Sequence, residues 1–110
     1  MSRLTAEMQQ KDSWCAVHLS GYLSSDSAPA LEAAFDQAAA DKILLVFEAK
    51  TLISSAGLAV LFDLILPVQE KGAQVRIVEP AAHFRRVFKM VGLSKEVDVF
   101  EEEVQAVVGW

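Results

Sequence analysis

Two adjacent hydroxyls, Ser54 and Ser55, stand at the head of the most apolar stretch of the chain, Ala56 to Val68. Small hydroxyl residues at a helix start can cap it, because the side-chain oxygen takes up a backbone N–H that has no partner in the first turn. An anionic group attached to such a hydroxyl would face free N–H groups and the positive end of the helix dipole. A phosphoserine at this junction therefore need not unfold the helix, yet it places roughly −2 charge on the surface. Spacing alone leaves two readings open, a pair of serines that only caps and a pair that also carries a modification.

The other reactive residue types are sparse. His18 sits inside a strand-like run with no acidic residue near it in sequence, and His83 precedes Phe84-Arg85-Arg86 at the start of a helical pattern. Two histidines on separate elements, without a spaced carboxylate pair, argue against a metal centre, and the expectation is that none is bound. Cys15 is the single cysteine, so the chain has no internal disulfide and no cysteine-rich zinc site. Its setting, Trp14-Cys15-Ala16-Val17, suits a small buried apolar side chain. No Gly-x-Ser-x-Gly elbow, GxGxxG loop or P-loop occurs, which leaves no catalytic residue and no cofactor to assign. Arg85, Arg86 and Lys89 form a small basic cluster, read either as a solvated helix face or as a docking patch for an acidic partner.

These residues must be held by elements that the hydrophobic pattern outlines. Alternation at Leu4, Ala6 and Met8 predicts an edge strand over 4–9. Residues 10–13 then make a hairpin into a second strand over 14–20, which reaches Gly21. Ser24-Ser25-Asp26-Ser27 supplies caps, with Pro29 in the first turn, for an amphipathic helix over 28–40 bearing Leu31, Ala34, Phe35 and Ala38. Ile43-Leu44-Leu45-Val46-Phe47 reads as a central strand buried on both faces. After Ser54-Ser55, Leu58, Leu61, Phe62 and Ile65 share a helical face, while Ala59, Val60 and Asp63 point away from it. Leu64 and Leu66 widen the apolar arc, so this helix is either deeply buried or offers an apolar patch to a partner. Pro67 should kink it or end it early, and Gly72 is a plausible stop. Gln74–Val78 is a further strand, 81–91 a helix ended by Gly92, Val97–Val99 a short strand, and Glu101–Val108 a last helix. Strand–helix alternation after the opening hairpin predicts an α/β fold with parallel central strands covered by helices.

Composition agrees. With 110 residues the chain is the size of one domain, 1–110. It is 53% hydrophobic and 23% charged, too apolar for disorder. Ten Lys and Arg against fifteen Asp and Glu give a net charge of −5, which argues against nucleic acid or an anionic membrane as main partner. No apolar signal core opens the sequence, and Ala56–Val68 is short of the roughly 20 residues a span requires. A cytoplasmic protein without membrane insertion is expected.

The order of elements and the serine junction together resemble the STAS domain, the anti-sigma-factor antagonist fold. Leu19-Ser20-Gly21-Tyr22-Leu23 looks like the family's segment before the first helix, and Ile43–Phe47 like its central strand. Ile53-Ser54-Ser55-Ala56-Gly57-Leu58 is similar to its Asp-Ser-Ser/Ala-Gly-Leu signature, with Ser54 in place of the usual aspartate. Lys71-Gly72-Ala73 and Val91-Gly92-Leu93 match later helix endings, and Phe47-Glu48-Ala49 departs from the Asp that commonly follows the strand. The resemblance implies a STAS-like, mixed and mostly parallel four- to five-stranded sheet with about four helices. It also implies a non-enzymatic bacterial regulator that switches partners. Such antagonists bind an anti-sigma factor that is also a serine kinase, and a phosphatase reverses the phosphorylation. Ser55 matches the phosphorylated serine, with Ser54 and Gly57 completing the switch and cap. Ala56, Ala59, Val60, Asp63 and Arg86 are the partner-facing candidates. The family also offers a different role, a non-phosphorylated structural subunit of a lipid-transport ATPase complex or a stress-signalling assembly.

Overall fold

In the computed structural model, residues 3–11, 13–38, 41–48, 51–78, 86, 88, 89, 92 and 97–110 are described. The apolar run at 43–47 becomes the middle of a five-stranded sheet. Strands β1 (Thr5–Gln10), β2 (Cys15–Ser20), β4 (Lys42–Phe47), β6 (Gln74–Val78) and β7 (Asp98–Phe100) lie in the order β1-β2-β4-β6-β7. Only the β1–β2 hairpin is antiparallel; β2–β4, β4–β6 and β6–β7 are parallel. A strand with parallel neighbours on both sides is covered above and below, and each residue from Ile43 to Phe47 is buried. Two further strands, β3 (Tyr22–Leu23) and β5 (Leu52–Ile53), pair parallel in a small sheet of their own.

Residues paired across parallel strands share a face, so the register divides the core in two. Cys15, Val17 and Leu19 line up with Ile43, Leu45 and Phe47, which in turn neighbour Val75 and Ile77. On this face pack Leu31, Ala34 and Phe35 of α1 (Ala28–Ala38) and Leu58, Leu61 and Ile65 of α2 (Ser55–Glu70), together with Phe88. The Phe47 and Phe88 rings meet at 5.7 Å between centroids. Each Val, Leu, Ile or Phe among them, when fully buried, contributes roughly 1.5–3 kcal/mol. Leu44, Val46 and Val78 face the other way, against Ala106 of α3 (Glu103–Ala106), with Trp14, Phe100, Val107 and Trp110 around them.

The α1 entrance is built from the serine run. A 3-10 turn at Ser25–Ser27 precedes the helix. The Ser24 N–H donates to Ser27 Oγ at 3.0 Å, and the buried Ser27 hydroxyl donates to the Tyr22 carbonyl at 3.1 Å.

Three expectations need correction. The small β3–β5 sheet lies where the pattern showed only a turn and a connection. Pro67 does not end α2, which continues to Glu70 and closes at Lys71 with Gly72 at φ +99°. The carbonyl that proline leaves without its helical partner is that of Asp63, and both residues are exposed, so water can satisfy it. The last helix spans Glu103–Ala106 rather than Glu101–Val108: Glu102 is extended at φ −133° and ψ 147°, and past Val107 the N–H groups of Val108 and Trp110 bond three residues back in tight turns. The Arg76 guanidinium donates to the carbonyls of Ala106 at 2.8 Å and Val108 at 3.0 Å, and stacks over the Trp110 ring at 4.4 Å. Trp110 also donates from Nε1 to Gln74 Oε1, and its carbonyl accepts from Ser13 Oγ. Arg76→Ala removes the hydrogen bonds and the stacking together, and is expected to lower stability by about 2 kcal/mol, read by thermal unfolding.

The helix expected over 81–91 falls mostly outside the described residues, as do His83 and Arg85. Of that stretch Arg86, Phe88 and Lys89 are helical, with Phe88 buried and both cations exposed. Three α-helices, α1 to α3, have both ends within the described residues.

Candidate functional site

The junction before α2 is fixed by one carbonyl. The Leu23 oxygen, at the end of β3, accepts the Ser54 N–H at 2.9 Å and the Ser54 hydroxyl at 3.2 Å. The same hydroxyl oxygen accepts the Gly57 N–H at 3.0 Å, which makes Ser54 the N-cap, with extended backbone at φ −89° and ψ 167°. Its carbonyl receives the Leu58 N–H at 3.0 Å, the first helical bond. The β3–β5 pairing carries this arrangement, since Leu23 opposite Ile53 brings the carbonyl over the residue that follows.

Gly57 is the buried donor to the cap rather than a cap itself. A Cβ at this position would come within 2.1 Å of the Leu23 oxygen and 2.6 Å of its carbonyl carbon. The helix can approach the β3 backbone this closely only where no side chain intervenes.

Ser54 and Ser55 therefore differ in kind. The Ser54 hydroxyl is held between a donor and an acceptor, whereas Ser55, the first helical residue, is exposed. Ala56, Ala59 and Asp63 are exposed with it along one side of α2, and Val60 is half-buried against the core. Opposite them Leu58, Leu61 and Ile65 are buried, while Phe62 packs only partly into the core. The greasy helix thus divides into a core stripe and an outward stripe of small residues headed by Ser55. Leu52, just before the junction, is 47% exposed and is a surface residue that the sequence pattern did not single out. Arg86 is exposed on a separate element.

His18 is set apart from the serines, on the sheet face that α3 covers. Its Nδ1 lies 2.9 Å from Glu48 Oε1 and its Nε2 3.9 Å from Glu103 Oε1. Sequence reading missed these neighbours, because β-register and chain return bring them together rather than local spacing. Among the described residues no group of three or more His, Cys, Asp and Glu side chains is arranged to hold a metal ion. Cys15 is 2% exposed, and burial pushes its thiol above the ordinary range. The thiolate is the reactive form, so Cys15 is expected to resist alkylation in the native protein at pH 8 and to react fully in denaturant, as a thiol-counting assay reads. Among the described residues no helix is long and apolar enough to cross a membrane.

Comparison with known proteins bears on this arrangement. Residues 5–106 match the family model of the STAS domain. No curated protein matches. Among solved structures, an anti-sigma factor antagonist from Mycobacterium paratuberculosis superposes with a TM-score of 0.80 at 22% identity, covering 97% of this chain and 93% of its own. The anti-sigma factor antagonist SpoIIAA in its unphosphorylated form gives 0.69 at 19% identity, over 96% of this chain and 98% of its own. The phosphorylated form of SpoIIAA, the Bacillus cell fate determinant, gives 0.62 at 18% identity, over 92% and 96%. At these identities the structures establish the fold, and the model match over most of the length establishes membership: the chain belongs to the STAS domain family.

Proposed function

We propose that this protein is an anti-sigma factor antagonist-like regulator that binds an anti-sigma factor of the serine-kinase type and is released by phosphorylation of Ser55. In this reading it has no catalytic activity of its own, it works in the bacterial cytoplasm, and a phosphatase restores the binding form. The observation that carries the proposal is the division of labour at the α2 junction. Ser54 is occupied as the cap, and Ser55 is exposed beside it at the head of an outward stripe of Ala56, Ala59 and Asp63. Small side chains let a partner backbone approach closely, and a phosphate at one end of the stripe adds bulk and roughly −2 charge where the two surfaces meet. Phosphorylated and unphosphorylated SpoIIAA both superpose on this chain, which supports a fold that survives the modification.

The direct test is intact-mass measurement and site mapping on protein isolated from its native host. The expected result is a species heavier by one phosphoryl group, located on Ser55. A chain unmodified under all growth conditions, or one modified at Ser54 instead, would count against the proposal.

A further inference from the structure

The face of the sheet opposite α1 and α2 carries a second polar constellation. His18 is the β2 residue at its centre, and charged groups approach it from three elements. Glu7 is its direct cross-strand partner on β1. Glu48, just beyond β4, meets Nδ1 at 2.9 Å. Glu103, the first residue of α3, places Oε1 3.9 Å from Nε2, and Glu101 and Glu102 precede it in the chain. The basic side chains on this face lie elsewhere. Arg76 is engaged with the Ala106 and Val108 carbonyls, and Lys42 stands at the far end of β4. His18 Nε2 is buried and has no hydrogen-bond partner among the described residues.

This geometry distinguishes the two charge states of the ring. In the neutral ring Nδ1–H donates to Glu48, which leaves Nε2 as a lone pair facing the Glu103 carboxylate. In the imidazolium both nitrogens are donors, so Nε2–H faces Glu103 and one ring bridges two carboxylates on different elements. We propose that His18 is a proton-operated clasp that fastens the segment 101–110 onto the sheet. The segment is suited to such control. Its helix is a single turn, and it covers Leu44, Val46 and Val78 through Ala106 and Val107. The added contact exists only when both ring nitrogens carry a proton, so docking of the segment is tighter in the protonated form than in the neutral one.

Backbone amides inside the segment report on it. The Ala106 N–H bonds to the Glu102 carbonyl and the Val107 N–H to that of Glu103. Their hydrogen exchange, corrected for intrinsic rates and referenced to the β6 amides of the same sample, is to be compared at pH 5.5 and 7.5. The expected result is protection at least threefold greater at pH 5.5 in the native chain, and no pH difference in Glu103→Gln, which keeps a polar partner but removes the charge. His18→Gln serves as a second variant and is expected to be equally flat. A native chain with no pH difference, or a Glu103→Gln variant that retains it, would overturn the clasp.

Discussion

Replacing Gly57 by alanine is expected to destabilise the protein by about 3 kcal/mol, at the upper end of what overpacking costs. The added methyl would fall 2.1 Å from the Leu23 oxygen, and the atom it meets is backbone rather than the end of a yielding side chain. Leu23 cannot retreat freely, because its carbonyl is bonded to both the N–H and the hydroxyl of Ser54 and its side chain is buried. Relief therefore requires α2 to move away from β3, which stretches the cap and loosens Leu58 and Leu61 from the core. Domains of this size hold only about 5–15 kcal/mol in total, and a loss of this order lowers Tm by more than roughly 10 °C. Thermal unfolding of Gly57→Ala beside the native chain checks it, and a change below about 1 kcal/mol would show that the helix is not held against β3 as described.

The second large effect is on binding. Ser55→Asp is expected to weaken the complex with the anti-sigma factor proposed as its partner by more than about 1.4 kcal/mol, a tenfold change, while Ser55→Ala leaves it intact. The effect on folding runs the other way. A carboxylate in the first turn of α2 faces the positive end of the helix dipole, and no acidic residue occupies that turn in the native chain. Ser55→Asp should thus be as stable as the native protein, or more stable by about 0.3–1 kcal/mol, while binding less well. A variant that loses both stability and affinity would point to damage rather than to a switch.

Much of this was legible from residue order, for identifiable reasons. Five consecutive apolar residues at 43–47 leave few alternatives to a strand covered on both faces, and Gln74–Val78 follows at the expected place. Ser54 is readable as a cap because capping is local, requiring only a hydroxyl three residues before a free N–H. What escaped detection is non-local. Two-residue strands such as β3 and β5 are too short to show a period, yet their pairing positions the Leu23 carbonyl on which the junction depends. The same carbonyl explains Gly57, whose buried packing role cannot be seen from its place in a motif. His18 meets glutamates 30 and 85 positions away, a juxtaposition created by register and by the return of the segment 101–110. The helix in that segment is shorter than its pattern suggests, and the tight turn that closes it docks on Arg76 of another strand.

The central claim is that the charge on Ser55 sets partner affinity. The most direct measurement is calorimetric titration of the proposed anti-sigma partner with two preparations of this chain, one stoichiometrically phosphorylated at Ser55 and one unphosphorylated. An affinity at least tenfold lower for the phosphorylated form is the predicted result. Equal affinity for the two preparations would contradict it.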